Sequence, residues 1–419
     1  MNPVKPIALL ASALVLLACA VPAPSTGPAP DALKDLLFLG TPAGLRTFDT
    51  ASGRLGYVAH NAVAIPDWQR LVRTATDGHG SRLAVLDART GAERASFKLP
   101  EPLAVAVVST SGNQAALVEP RAQTANPYQP TGRARTRIVV ADLSSGAQRT
   151  FDLEGNFEPE AFSTDDRRLF VLEHLPAMKP DRYRVRQLHL DTALFVPMVS
   201  RWKQAPLAAE EEMRGTGRTQ VLSPDRRTLY TLYVRQPEHL HVRDLVRIQN
   251  GGAASTEHVH AFVHVLDLHD GSAFCLDLPM PFGVDTDAAH ALAVSADGAR
   301  LYVAEGGQGA LAAVDTGQMK VLQSALLGAG GGALALLAAP NDRLFLADRQ
   351  GVALVDPARL VVRERWPVGP VTGGLALSPD FQRLYLGLEG RVAVLDAATG
   401  HPLADLATSG TLRHVTARA

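Results

Sequence analysis

From Leu33 onward, short apolar runs and polar turns follow one another in a fixed order. "SADGARLYVAEGGQGALAAVDTG" (Ser295 to Gly317) is one statement of that order, and "SPDFQRLYLGLEGRVAVLDAATG" (Ser378 to Gly400) is another. "APNDRLFLADRQGVALVDPARL" (Ala339 to Leu360) is a third. Each opens on a polar turn, passes through two apolar runs, and ends at an Asp followed by a second turn. Apolar runs this short, bounded by turn residues, predict strands rather than helices. They show little apolar/polar alternation, as expected of a sheet covered on both faces. The turns have their own chemistry. In Ser-Pro-Asp the proline presets φ and the aspartate bonds its own backbone. In Asp-x-x-Thr-Gly the glycine supplies a positive φ. One unit therefore reads as four strands: A (Leu375 to Leu377), B ("RLYLGL"), C ("RVAVLD") and D ("PLADLA").

The aspartate that ends strand C marks the period. Candidates are Asp49, Asp87, Asp142, Asp191, Asp267, Asp315, Asp356 and Asp396. The spacings 396 − 356 = 40, 356 − 315 = 41 and 87 − 49 = 38 fit a four-stranded propeller blade. The expected fold is all-β, a single β-propeller over residues 33–419 with eight blades, one more than the commoner seven. The first unit begins at "DLLFLG", a strand B with no strand A before it. Thr411 to Ala417, "TLRHVTA", follows the eighth unit and supplies the missing strand, which would leave no open sheet edge.

The phrasing of Ser295–Gly317 and Ser378–Gly400 resembles the YVTN-type repeat propellers of bacterial surface and periplasmic proteins. The resemblance spans nearly the whole region after residue 32, and blades 3 to 5 depart from it. It implies the fold and leaves function open, because such propellers include binding proteins, lactonases and redox enzymes.

The N-terminus reads separately. Lys5 precedes the apolar run Ile7 to Leu17, which is too short to span a bilayer, and Leu16-Leu17-Ala18-Cys19 follows. The stretch resembles the lipobox of bacterial lipoproteins, which implies a signal peptide over residues 1–18 and a lipidated Cys19. An ordinary secretory signal is the alternative. The Pro-rich "AVPAPSTGPAP" after Cys19 makes residues 19–32 a tether. The expected location is the bacterial cell envelope, exported and lipid-anchored, with the membrane of residence unspecified. Cys275 is the one other cysteine, so no intramolecular disulfide forms, and "SAFCLDL" reads as a strand that buries it.

A formal net charge of −1 argues against nucleic acid, which needs a basic patch to neutralise phosphates. Function is expected where the units carry extra residues. These are Glu119 to Thr136 and His174 to Arg184 (the B–C loops of blades 3 and 4), Ser200 to Arg218 (the link from blade 4 to 5) and Arg235 to His258 (the B–C loop of blade 5). All four fall on one face and form a canopy. The opposite face has tight turns with no spare residues to build a pocket. Tyr128, Tyr183, Trp202, His239 and His258 are the candidate ligand-binding residues. "PLAAEEEMRG" reads as a short helix starting at Pro206.

Histidines crowd the same stretch, eight of thirteen lying between His174 and His269. His239, His241, His258 and His260 have the alternating spacing of a strand-borne zinc or copper site, though no acid or thiol completes a signature. No catalytic residues are assigned. Gly-x-Ser-x-Gly, Gly-Lys and Cys-x-x-Cys-His are all absent. "GAGGGA" (Gly328 to Ala333) joins strand D to strand A with no crossover helix, so it reads as a blade link rather than a dinucleotide site. The reading is a monomeric, cofactor-free binding module whose ligand is a protein, a glycan or an envelope component. The rival is a lactonase-like hydrolase or a metal-dependent enzyme in blades 4–5.

Overall fold

The computed structural model describes residues 33–77, 80–121, 130–198, 212–214, 217–234, 251, 259–285, 289–328 and 335–418. Eight four-stranded antiparallel sheets form an eight-bladed β-propeller. Strand A of one blade approaches strand A of the next, as His290–Val294 does Ala335–Ala339, so the A strands ring the axis. The four strands expected of blade 8 are observed at Leu375–Leu377, Arg383–Leu388, Arg391–Asp396 and Pro402–Leu406.

The core is divided among the seams between blades. Among the described residues, buried apolar side chains form eight clusters, and each straddles two neighbouring blades. Consecutive residues serve opposite seams. Leu37 and Leu39 pack toward blade 8, while Phe38 between them packs toward blade 2. The absence of alternation in the sequence follows directly, since both faces of every sheet are covered.

The repeated turns have repeated hydrogen bonds. Ser163, Ser223, Ser295 and Ser378 each donate a hydroxyl to the aspartate two residues on, at 2.5 Å. Each also accepts the amide five residues on, at 2.9 Å. In the second turn Asp87, Asp142, Asp267 and Asp396 accept two amides each through Oδ1. The Arg94 guanidinium lowers the Asp87 carboxyl to about 2, and the Ser144 hydroxyl does the same for Asp142. Gly400 closes one of these turns at φ 72°, and a Cβ there would stand 2.3 Å from the Trp366 ring of the preceding blade. Only glycine meets both demands.

Blade 4 corrects the marker set. His189, not Asp191, pairs with Arg168 at the end of strand C, and Ala193 returns its amide to the His189 carbonyl. Asp191 instead binds Arg167 and Arg149. Cys275 lies on strand D of blade 5 as expected but is only half-buried, because outer strands have one side near solvent. Residues 1–32, with Cys19, lie outside the described residues.

The ring closes with the last strand. Thr411–Ala417 pairs antiparallel with Asp35–Thr41, matching Phe38 to His414 and Leu37 to Val415. A second clasp lies beside it. Asp35 of blade 1 is buried, and its Oδ2 accepts from the Tyr385 hydroxyl at 2.5 Å and from Arg383 Nε at 3.0 Å, both in blade 8. Removing residues 410–419 should expose Phe38 and open the 8–1 seam. A large fall in melting temperature or aggregation on size-exclusion chromatography is expected, and a truncated chain melting like the intact one would mean that this strand is dispensable.

The closing strand also carries a titrating group. His414 stacks on Trp68 at 4.7 Å and 9°, and burial lowers its pKa from 6.5 to about 4. Between those values the unfolded chain binds a proton that the folded chain does not. Stability from this group is therefore complete above pH 6.5 and is lost as pH falls toward 4, a total on the order of 3 kcal/mol. His414→Phe should flatten this part of a denaturation-versus-pH curve; a variant with the parent slope would show that His414 is not its source.

Candidate binding face

The long insertions fall in blades 3 to 5. In blade 3, strands B and C end and begin at Val118 and Arg135, so residues 119–134 form the connection. In blade 4 the connection is shorter than expected. Strands Arg168–Leu175 and Arg182–His189 pair along their full length, His174 opposite Tyr183, and only residues 176–181 remain as loop. In blade 5 residues 235–260 join strands B and C. A further long link, residues 278–289 between blades 5 and 6, escaped the sequence reading and is anchored by buried Leu278 and Phe282.

Asn156 ties the described parts of the first two loops together. It is fully buried at the start of strand A of blade 4, and its Nδ2 donates to the carbonyls of Thr131 (3.0 Å) and Ala177 (3.1 Å). Arg133 N donates to the Ala177 carbonyl at 2.9 Å. The backbones are so close that a Cβ on Gly132 would stand 1.9 Å from the Met178 carbonyl oxygen. The described parts of the two loops are thus fixed to one another.

Beneath them lies a charged cluster. Arg121 Nη2 donates to Asn156 Oδ1 (3.1 Å) and the Phe157 carbonyl (2.6 Å), while its Nη1 is 3.8 Å from Glu158 Oε2. His174 Nε2 is 3.3 Å from the same oxygen. His174 is buried at 4% exposure, yet the Glu158 side chain keeps 32%. A base on each side thus orients a carboxylate that still meets solvent. Two residues along, Glu160 accepts from Gln220 Nε2 of blade 5 at 3.1 Å, and Gln220 also reaches Thr231 at 3.2 Å.

These acids are anomalous for their place. The A strands of blades 3, 6, 7 and 8 read "AVAVV", "HALAV", "ALLAA" and "LAL", with no acid among them. Blade 4 has "NFEPEAF". That contrast is present in the sequence, within a strand of the repeat itself rather than in an insertion.

Most of the predicted site residues are not described by the structure. Tyr128, Trp202, His239, His241 and His258 lie outside the described residues, as does the start of the helix expected from Pro206. The segment's end is extended: Met213 bridges Tyr183, and Glu212 pairs with Arg182 at 2.6 Å. This covers an edge that strand D of blade 4, only Leu194–Val196, leaves bare. Tyr183 itself is 6% exposed on strand C, its ring 5.2 Å from Tyr233, so it is a packing residue at the base of the canopy rather than a loop aromatic. His260 precedes strand C of blade 5, whereas His269 is in a second turn on the far face, 3.1 Å from Thr164. Among the described residues no three of His, Cys, Asp and Glu are grouped to hold a metal ion. The tight-turn face also differs from expectation. Two grooves open there, between blades 5 and 6 and between blades 6 and 7, formed by space between blades rather than by spare turn residues.

No protein-family model matches the chain, and no curated protein matches it. Among solved structures it is similar to a eukaryotic initiation factor, at 14% identity over 91% of this chain and 98% of that one, TM-score 0.47. It is also similar to a functionally unknown protein from Desulfotomaculum acetoxidans (10% identity, 91% and 98%, TM-score 0.45). A third likeness is to dipeptidyl peptidase 4 of Porphyromonas gingivalis (12% identity, 84% of this chain and 54% of that one, TM-score 0.48). At these identities and scores the likenesses carry no inference about ligand or activity. The propeller rests on this chain's own strand pairing.

Proposed function

We propose that the protein is a binding module that takes a polar ligand of the cell envelope on the canopy face of blades 3 to 5. The observation that carries this is Glu158, a carboxylate held by Arg121 and His174 and still open to solvent, on an inner strand whose counterparts lack acids. With Glu160 it offers acceptor oxygens beside the propeller axis, under loops pinned by Asn156. Acceptors on a rigid floor suit a ligand presenting hydrogen-bond donors, such as glycan hydroxyls or basic side chains. The YVTN-type phrasing and the lipobox resemblance support an exported protein tethered through Cys19 and the Pro-rich segment after it.

Two measurements test this reading. Glycan and basic-peptide arrays probed with the intact chain should give a signal that Glu158→Gln lowers by roughly tenfold, the loss of one charge-assisted contact. A variant on the opposite face, Asp380→Asn, should leave it unchanged, and the reverse pattern would move the site off the canopy. For the tether, Cys19→Ser should shift the protein from the detergent phase to the aqueous phase; unchanged partition would rule the lipid anchor out.

A further inference from the structure

The described chain enters the propeller on the tight-turn face. Leu33 is buried in the seam between blades 8 and 1, and the Lys34 carbonyl accepts the Arg418 amide at 2.8 Å. Asp35 then opens strand B of blade 1, which runs from this face toward the canopy. Residues 19–32 precede Leu33 in the sequence and so attach to the ring at this corner. The A–B turn of blade 8 is its neighbour. Arg383 binds Asp35 at 3.0 Å and Asp380 of that turn at 3.1 Å.

Phe381, the next residue of the turn, is unusual in two respects. It holds φ at 59°, a backbone state that bulky side chains rarely adopt. The same place is glycine in blades 3 and 6 (Gly112 and Gly298) and polar in blades 4 and 5 (Asp166 and Arg226). In blade 2 it is Trp68, whose ring covers His414. Phe381 joins none of the apolar clusters and is 43% exposed. An apolar ring is thus kept in water where glycine would relieve the backbone, and such outliers mark sites of contact. Lys34 is exposed at the same corner. The acids around it are already engaged: Asp35 and Asp380 by Arg383, Asp49 by Arg418 at 3.2 Å, and Asp396 by amides of its own turn. The corner therefore offers a ring and a cation to whatever lies below it.

We propose that this corner rests on a lipid bilayer, with the Phe381 ring in the headgroup layer and the Lys34 ammonium on lipid phosphate. An apolar ring beside a lysine is the pairing that interfacial segments use. The inference rests on the lipid anchor proposed at Cys19, because an anchor there brings this corner to the membrane first. The canopy lies at the opposite ends of the same strands, so it faces away from the bilayer, toward ligands in the surrounding space.

The full-length, lipidated chain in vesicles of phosphatidylcholine with a minority of phosphatidylglycerol tests the orientation. In a Cys275→Ser background, a fluorophore is placed at Gln382→Cys, beside Phe381, or at Glu389→Cys, in the B–C turn of the same blade. Both positions are exposed, at opposite ends of strand B. They stand about 20 Å apart, so a quencher carried on lipid headgroups should dim the Gln382 label about twice as strongly as the Glu389 label. Phe381→Gly, which suits the backbone, should melt no lower than the parent. That variant and Lys34→Glu should each shrink the difference between the two labels. Equal dimming, stronger dimming at Glu389, or a difference unchanged in both variants would overturn the docking while leaving the anchor in place. No dimming at either label would mean that the chain is not held at a bilayer, and the anchor reading would fall with the docking.

Discussion

Every blade buries both of its faces against its neighbours, so no blade has a complete core until the ring is closed. The last seam is the one that chain connectivity does not supply. It is made by residues more than three hundred positions apart, through the Thr411–Ala417 strand on Asp35–Thr41 and the Asp35 contacts to Arg383 and Tyr385. Asp35 is buried, and two donors meet its carboxylate. The ring is thus joined by a paired charge rather than by apolar packing alone. An unpaired partner at that point would be a buried charge, which makes the clasp intolerant of partial assembly. On its other face the closing strand buries His414 against Trp68 of blade 2, so acid weakens the hold of this strand from that side.

Most of the architecture was legible because the turns are chemical and local. Ser-x-Asp and Asp-x-x-x-Gly specify their geometry within six residues, and most blades repeat one or both of them. The truncation expected to unfold the ring comes straight from this reading, since the missing first strand and the surplus last one were both visible. Blade 4 was misread where local chemistry changes: with His189 in the marker place, the nearest aspartate, Asp191, was a plausible substitute two residues away. The canopy cluster was not legible for another reason. Arg121, Glu158 and His174 come from two blades, and nothing local relates them. Tyr183 was misassigned because strands B and C of blade 4 run on past the length of the repeat, turning apparent loop into ladder.

The two faces diverge from the repeat in different ways, and each way has a physical consequence. On the canopy face the departures are insertions, which a rigid ring tolerates at small entropic cost because loop closure depends only weakly on length. Asn156 then removes much of the freedom that such loops would have, tying two of them to the inner strand. On the opposite face the turns cannot lengthen without losing the hydrogen bonds that define them. Change there is confined to side chains, which line the grooves between blades.

Thr316 and Pro357 show how small that change is. Proline at the position after the marker aspartate preserves the turn: Ala358 and Arg359 still donate their amides to Asp356 at 2.9 and 3.1 Å. What changes is the side chain that the turn presents to the groove beside it, a hydroxyl from Thr316 and an apolar ring from Pro357, while the ladders on both sides of strand B keep the backbone path the same. Rigidity thus confines divergence on this face to the chemistry of side chains, whereas insertions on the canopy face change the surface itself.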